Sequence, residues 1–583
     1  MKKTPRNKTV KLVLAAAVCA AVFFAFFGCG RSESGSGKYS RFLTVDVYDS
    51  LANKQGIQSG WFAKIVKDKF NMELNIIAPN TTGSAETLYE TRAAAGNLGD
   101  LVIIGTGNGR FRDIVESGLI LDMSDYLKNS ALTSKYTEAI NICNKYSGKE
   151  GIYGIPCELS TQSPEVSCDG NEPMVSAYVR WDSYKAAGYP EIKTLEDFIP
   201  VMQAMQEDTP LSDSGKKTYA ISLFKDWDGN MMVAAKNYAS LYGYNEVGFV
   251  LSRADGSDYQ DILSKDGIYV RALHFLFEAN KAGLVDPESR TQNYAELSGK
   301  YRDGQILTSL WSYQGTDLYN TAENKANGKG FMPAFIEDST PYSNGCYSEG
   351  NAKTIIAIGN SAAEPQRLAD FIDWLYSPEG MEAEGECVGA VGPEGLTWEK
   401  ADGKAVLTDF GKAALPSNDV NVPEEWGGGK WEEGSSGLNY KPLAIVDEDP
   451  NTEEPYLPTM WESSLAGKTT SLDTDWQDWA GGAKTTIEFL KNKNALMVAP
   501  GSTFIEPEES SDIATKRQHC KAAITEYSWK MAFANDEEEF DSLLEKLRSA
   551  AESYGYRDVL AIDFSNASLE AKLEAKVVED YGK

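Results

Sequence analysis

Residues 40–105 alternate short apolar runs with amphipathic ones, and this alternation limits the possible folds more than any other feature of the chain. SRFLTVDVY (40–48) reads as a strand, 60–70 as a helix, 72–77 as a strand and 86–95 as a helix. DLVIIG (100–105) then reads as a third, buried strand after a Gly-containing turn. Strand, helix, strand, helix, strand implies right-handed crossovers and a mostly parallel sheet, an α/β fold. Ligands of open α/β sheets bind beyond the carboxyl ends of the strands, here Tyr48-Asp49 and Gly105-Thr106-Gly107-Asn108.

Residues 351–380, NAKTIIAIGNSAAEPQRLADFIDWLYSPEG, form a second unit of this kind. Thr354, Ile355, Ile356, Ala357 and Ile358 make a β-branched apolar run ended by Gly359-Asn360, a strand by composition. Ser361 stands three residues before Glu364, which predicts a capping box. Leu368, Phe371, Ile372 and Leu375 then fall on one helix face. Ser377-Pro378 predicts a second helix start with proline at its first position.

At 583 residues the chain is too long for one core, so two or more lobes are expected. Residues 1–28 read as a leader: Lys2, Lys3, Arg6, Lys8 and Lys11, then an apolar run over 12–27 that is short for a span of about 20 residues. Phe26-Phe27-Gly28-Cys29 resembles a bacterial lipobox, with two aromatic residues where Leu and a small residue are usual. That resemblance implies lipidation at Cys29 and a flexible tether over 29–38. An uncleaved anchor is the competing reading.

The formal charge is −30. Loss of the leader's five basic residues takes it to about −35. A chain this acidic, with no basic stripe, is repelled by nucleic acid. Beyond Cys19 and Cys29 there are Cys143, Cys157, Cys168, Cys346, Cys387 and Cys520, without zinc-ligand spacing. Cys157–Cys168 is the nearest pair in sequence, with buried free thiols the alternative. Only His274 and His519 are present, too few for a His-based triad or His-rich metal site. The glycine-rich 105–110 lacks the pattern of a phosphate loop and reads as a turn. Paired carboxylates for glycoside hydrolysis have ample material, but no motif singles out an acid and a base.

Several segments resemble the family 1 extracellular solute-binding proteins, the lipoprotein receptors of ABC-type sugar importers. They are GNLGDLVII, GKEGIYGIP (148–156), YVRWD…TLEDF from 178, the strand and helix ending WLYSPEG, GPEGLTWE (392–399) and the amphipathic helix in FANDEEEFDSLLEKLRSAAESYGYRDVL. Thr194 and Asp197 suit a capping box there. The resemblance implies a two-lobed periplasmic-binding-protein-like fold of type II, with a hinge and an interlobe cleft. By that pattern 39–160 plus 302–348 form lobe 1. Lobe 2 is then 161–301 plus 349–583, including a long ordered loop over 416–461 and C-terminal helices that return toward lobe 1.

The function implied is carbohydrate capture, with oligosaccharide favoured, and hinge-driven delivery to ABC permease subunits. The expected state is a monomer, lipid-anchored on the outer face of the cell membrane of a Gram-positive bacterium. No cofactor, metal or catalytic residue is expected. Several relatives carry a calcium loop where this chain has DTPLSDSGKK (208–217), which lacks the alternating oxygen ligands. A secreted polysaccharide-degrading enzyme and a glycan-holding lipoprotein without transport are the alternatives. Aromatic faces stack on sugar rings, while carboxylates, amides and Arg bind hydroxyls. Trp311 and Tyr313, alternating along a predicted strand, lead the candidates, followed by Trp61, Trp227 and Trp181. Arg180, Asp49, Asp100, Asn108 and Glu349 are the polar candidates, with Arg180 and Lys225 available to a uronate.

Overall fold

The computed structural model describes residues 38–82, 85–384, 389–417 and 419–582. The leader, Cys29, nearly all of the tether and Cys387 lie outside them.

The chain opens with β1 (Leu43–Asp49), the short edge strand β2 (Gly56–Ile57), α1 (Gly60–Phe70), β3 (Met72–Ile77), α2 (Ala85–Ala94), β4 (Leu101–Gly105), α3 (Arg110–Glu116) and β5 (Ile155–Cys157). β1 pairs in parallel with both β3 and β4, as the alternation predicts. Asn71, between α1 and β3, is left-handed (φ 47°) and sends its amide back to Lys67, a C-cap that stops the helix in one residue.

The chain then crosses to a second lobe. There β6 (Tyr178–Arg180) is flanked antiparallel by β7 (Thr308–Ser309) and β8 (Phe331–Pro333). Helices α4 (Tyr294–Arg302) and α5 (Ser312–Tyr319) lie between them in sequence. Thr194 and Asp197 exchange reciprocal side-chain to backbone bonds (3.3 and 3.1 Å) just before the helix that starts at Phe198.

After β9 (Tyr342–Asn344) the chain returns through β10 (Asn351–Ile358), which inserts antiparallel between β4 and β5. The first sheet therefore runs β2-β3-β1-β4-β10-β5. This reverses the expected lobe boundaries. Residues 308–333 belong with β6 in the second lobe, and 351–358 complete the first sheet. The pairings that decide this are antiparallel contacts between segments about 130–250 residues apart, to which local sequence is blind.

Helices α6 (Pro365–Leu375) and α7 (Pro378–Glu384) follow, with α6 burying Leu368, Phe371, Ile372 and Leu375. The Ser361–Glu364 capping box is not formed. Glu364 is itself the N-cap, and its carboxylate accepts instead from Arg367 Nη2 (2.6 Å), which reaches back one turn from inside the helix. Ser377 Oγ does accept the Gly380 amide (3.1 Å), with Pro378 at the first position of α7.

The hairpin β11 (Trp398–Ala401) and β12 (Lys404–Leu407) turns at Asp402-Gly403, both at positive φ (52° and 84°), as a two-residue hairpin turn requires. The described part of 416–461 is ordered against the first lobe. Trp431 stacks on Trp61, and the Tyr440 hydroxyl meets that of Tyr376 (2.5 Å).

The chain returns to the second lobe between Trp461 and Leu472, since Leu472, Trp476, Phe489 and Leu490 lie in the second core. β13 (Met497–Ala499) follows and pairs in parallel with β9. Gly345 N–H donates to Ala499 (2.7 Å) and Gly501 N–H to Pro164 (3.0 Å), so the first two crossings and the segment around β13 touch backbone to backbone. A Cβ on Gly345 would lie 1.9 Å from the Pro164 carbonyl, which only glycine avoids. Of the two readings for Cys157 and Cys168, free thiols hold. Cys157 Sγ donates to the Asn351 carbonyl (3.3 Å), while Cys168 packs beside Cys346.

Helices α8 (Ser511–Ala532), α9 (Glu537–Ser553) and α10 (Tyr556–Tyr581) complete the second core. The predicted single closing helix is broken at Gly555 (φ 86°), where α10 begins. Asp536 caps α9 by accepting the Glu539 amide (2.9 Å). The far end of α10 reaches the first crossing, where the Tyr581 hydroxyl donates to Thr161 (3.1 Å). Among the described residues no helix is long and apolar enough to cross a membrane.

Candidate functional site

Five aromatic rings from three separate segments meet on the second lobe. Phe224 and Trp227 stand on the loop over 222–232, Tyr294 opens α4, Trp311 precedes α5 and Tyr313 lies in its first turn. The base of the loop is pinned inside the lobe. Ser222 Oγ donates to Asp286 (2.7 Å), which also pairs with Lys300 (2.6 Å). Gln292 Nε2 donates to Ser222 Oγ (2.6 Å) and the Leu223 carbonyl (2.7 Å). Higher up, Asp226 accepts the Tyr294 amide (2.8 Å), and Asp228 accepts the Trp529 indole N–H (2.6 Å) and the Val233 amide (2.9 Å). The rings are thus carried by a fixed frame rather than by a loose loop.

Ring centroids lie 4.4 Å apart for Trp227–Tyr294, 4.9 Å for Phe224–Trp227, 5.6 Å for Trp227–Trp311 and 5.5 Å for Trp311–Tyr313. Trp311 and Tyr313 are stacked (18°), whereas Trp227 is inclined to its neighbours by 34–83°. Trp311 is 8 % exposed and Trp227 44 % exposed. An indole held on an aromatic base with much of its surface open suits an apolar sugar face. Beneath Trp311 lies a cavity of about 50 Å³, lined in part by Asn237, Ser309 and Gln314. The Gln314 side-chain nitrogen has no partner among the described residues. Burial raises the carboxyl of Asp228 and that of Asp317, on the same helix as Tyr313.

Three of the ten predicted residues, Trp227, Trp311 and Tyr313, come together here. The strand predicted under Trp311 and Tyr313 ends at Ser309, and a helix starts at Ser312, so the two rings stack across a helix start rather than sharing a strand face.

The other seven lie elsewhere. Trp61 is fully buried against Trp431 (4.4 Å, 5°) in the first lobe. Trp181 is buried among Tyr184, Tyr189 and Trp479 in the second core. Arg180 is buried, paired with Asp182 (2.7 Å) and laid over the Tyr319 ring (4.1 Å), so its guanidinium has no free face for a uronate. Asp49 ends β1 but points inward, accepting the Leu51 (3.1 Å) and Asn439 (2.7 Å) amides. Burial pushes its pKa up to about 6. Asp100 stands at the start of β4, not its carboxyl end, and accepts the Asp46 amide (2.9 Å). Glu349 lies in a groove of about 620 Å³ with Lys576 and Asp580 of α10. Asn108 alone among the polar candidates is exposed beyond a strand's carboxyl end, with a left-handed φ of 54°.

Phe224, Tyr294 and Trp529 escaped the sequence reading. The Asp-Trp-Asp run at 226–228 is the local signal that could have found this loop, since both acids anchor it. Trp529 carries no such signal, because only the packing of α8 brings it to Asp228. The hydroxyls of Ser212 and Ser214, within 208–217, donate to Asp303 (2.9 and 2.8 Å).

Residues 56–382 match the sequence profile of the bacterial extracellular solute-binding protein family. No curated protein sequence matches the chain. The fold is similar to that of the Streptococcus pneumoniae ABC-transporter substrate-binding protein FusA in complex with kestose, at 15 % identity and TM-score 0.59, covering 92 % of this chain and 100 % of that one. It is also similar to the alginate-binding protein AlgQ2, at 12 % identity and TM-score 0.56 over 92 % and 100 % of the two chains. A third similar structure is an HMO-binding, ABC-transporter-associated solute-binding protein from Bifidobacterium longum infantis, at 11 % identity and TM-score 0.56 over 91 % and 99 %.

Proposed function

Because this chain belongs to the bacterial extracellular solute-binding proteins, we propose that it captures a carbohydrate on the aromatic cluster of its second lobe and delivers it to an ABC permease. The half-open indole of Trp227, braced by Tyr294, Trp311 and Phe224, carries this reading. Structures of similar fold bind kestose, alginate and HMO by their descriptions, which favours an oligosaccharide. Asn108 and the turn after β4 supply the opposing edge from the first lobe. A ligand touching both edges stabilises the closed state by the contacts it adds there, and the crossing segments act as the hinge. No chemistry on the glycan is required. Cys29 carries the lipid that holds the monomer to the outer face of the membrane, and 29–38 is its tether.

The test is thermal melting of the protein against a panel of neutral and acidic oligosaccharides, with product analysis of each mixture. Binding to the folded state raises the midpoint, by about 2.7 kcal/mol of added stability at a hundredfold excess over Kd. A shift with one glycan class and no cleavage is expected. Cleavage would make the protein an enzyme, and no shift across the panel would remove carbohydrate as its cargo.

A further inference from the structure

Next to the aromatic cluster, a groove of about 530 Å³ runs between the 225–228 turn and α8. Lys225, Arg290, Lys521 and Lys530 line it, against only two carboxylates, Asp228 and Glu526. Both acids are already engaged, Glu526 with Lys530 (2.5 Å) and Asp228 with the Trp529 indole and the Val233 amide. Among the described residues no carboxylate oxygen lies within 4.0 Å of the charged nitrogens of Lys225, Arg290 or Lys521. Lys225 Nζ instead sits 4.9 Å from the Trp529 ring centroid, and the Arg290 guanidinium 5.5 Å from that of Phe533. Aromatic faces hold these cations in place without neutralising them.

Uncompensated cations are unexpected in a chain with 86 acidic and 56 basic residues, where carboxylates are plentiful. The three are within one groove, and the groove shares its loop with Trp227. We propose that this groove is an anion subsite, where the glycan proposed above places a negatively charged sugar unit, a uronate or a sulfated residue, beside the ring stacked on Trp227. Arg290 can meet a carboxylate or sulfate with two parallel N–H donors, while Lys225 and Lys521 act as point charges. The excess negative charge of the chain does not prevent this, because at physiological salt charges more than about 8 Å away are largely screened. The inference rests on the aromatic cluster being the glycan site.

The experiment measures Kd for matched oligosaccharides of one length, uncharged, uronate and sulfated, at low and at physiological salt. It uses the protein and an Arg290→Gln/Lys521→Gln variant whose unchanged melting curve without ligand shows that it folds. The expected result is that a uronate or sulfated glycan binds at least about tenfold tighter than its neutral counterpart at low salt, a margin of about 1.4 kcal/mol. That margin shrinks with added salt and collapses in the variant. The arm that binds, uronate or sulfated, identifies the anion. Neutral glycans binding as well as or better than acidic ones, or a margin that survives in the variant, overturns the anion subsite and leaves the carbohydrate reading intact. If no glycan of any kind binds, both fall.

Discussion

One tryptophan pair in the first lobe and one in the second differ sharply in exposure. In the first lobe Trp61 and Trp431 lie parallel, 4.4 Å apart and 5° from coplanar, each fully buried. Trp61 Nε1 donates to the Trp431 carbonyl (3.0 Å), so the stack fastens the 416–461 segment to α1. In the second lobe Trp227 and Trp311 are 5.6 Å apart and inclined by 54°, and Trp227 keeps 44 % of its surface exposed. Here the parallel pair covers its shared faces completely, while the inclined pair leaves Trp227 partly open. The difference lies in exposure, which the proposed site requires of Trp227 and which Trp61 and Trp431 lack.

The largest effect expected is on the closed pair. Trp431→Ala removes the partner of Trp61 and opens a cavity under the long segment, which costs about 3–5 kcal/mol of stability. Urea unfolding followed by circular dichroism measures it, and glycan affinity of the folded fraction is expected to stay near that of the unaltered protein. A loss of affinity as large as the loss of stability would mean that the 416–461 segment takes part in the ligand site.

The open pair is expected to answer the other way. Trp227→Ala removes a ring that is 44 % exposed and fills no closed core, so stability falls by about 1 kcal/mol, well short of the Trp431 loss. Affinity for the bound glycan falls by about 1.4–2.8 kcal/mol, ten- to a hundredfold in Kd, since the ring is the exposed anchor of the proposed site. Titration of tryptophan fluorescence against the glycan found by melting reads it directly. A large stability loss with unchanged affinity would place Trp227 with Trp61 as a structural ring.

How far these roles can be read from sequence follows from where the information lies. The helix over 60–70 and the strand over 72–77 match α1 and β3 residue for residue, because apolar spacing and the cap at Asn71 are local. The lobe boundaries were not legible, since β10 joins β4 through pairings 250 residues apart and nothing within 351–358 identifies its neighbour. Burial of aromatics is equally non-local. Trp61 and Trp181 look no different in sequence from Trp227, and Arg180 looks available until Asp182 and Tyr319 are seen to enclose it. Trp311 and Tyr313 were found through a predicted strand that is in fact a strand end and a helix start; their closeness in sequence brought them together in either geometry.

The smallest effect expected concerns pH, and again separates the lobes. In the first lobe, Asp49 fastens the long segment to β1 through the Asn439 amide while buried from water. Desolvation raises its pKa from 3.8 to about 6, despite the backbone amides that favour its charged form. Fully buried Glu384, whose two carboxylate oxygens have no partner among the described residues, is raised further by burial and by the charge of Asp49. A carboxyl with a higher pKa folded than unfolded holds more protons in the folded state. Its contribution is therefore full below the unfolded value of 3.8 and is lost as pH rises through about 6. The first lobe should accordingly melt at a somewhat higher temperature at pH 5 than at pH 7, set against whatever exposed groups contribute in both lobes. Asp49→Asn, which keeps one acceptor and cannot ionise, should flatten that slope. Calorimetry of the protein and the variant across this range measures it. An equal slope in both would show that Asp49 stays ionised beneath the segment, held by its two amides more strongly than burial opposes it.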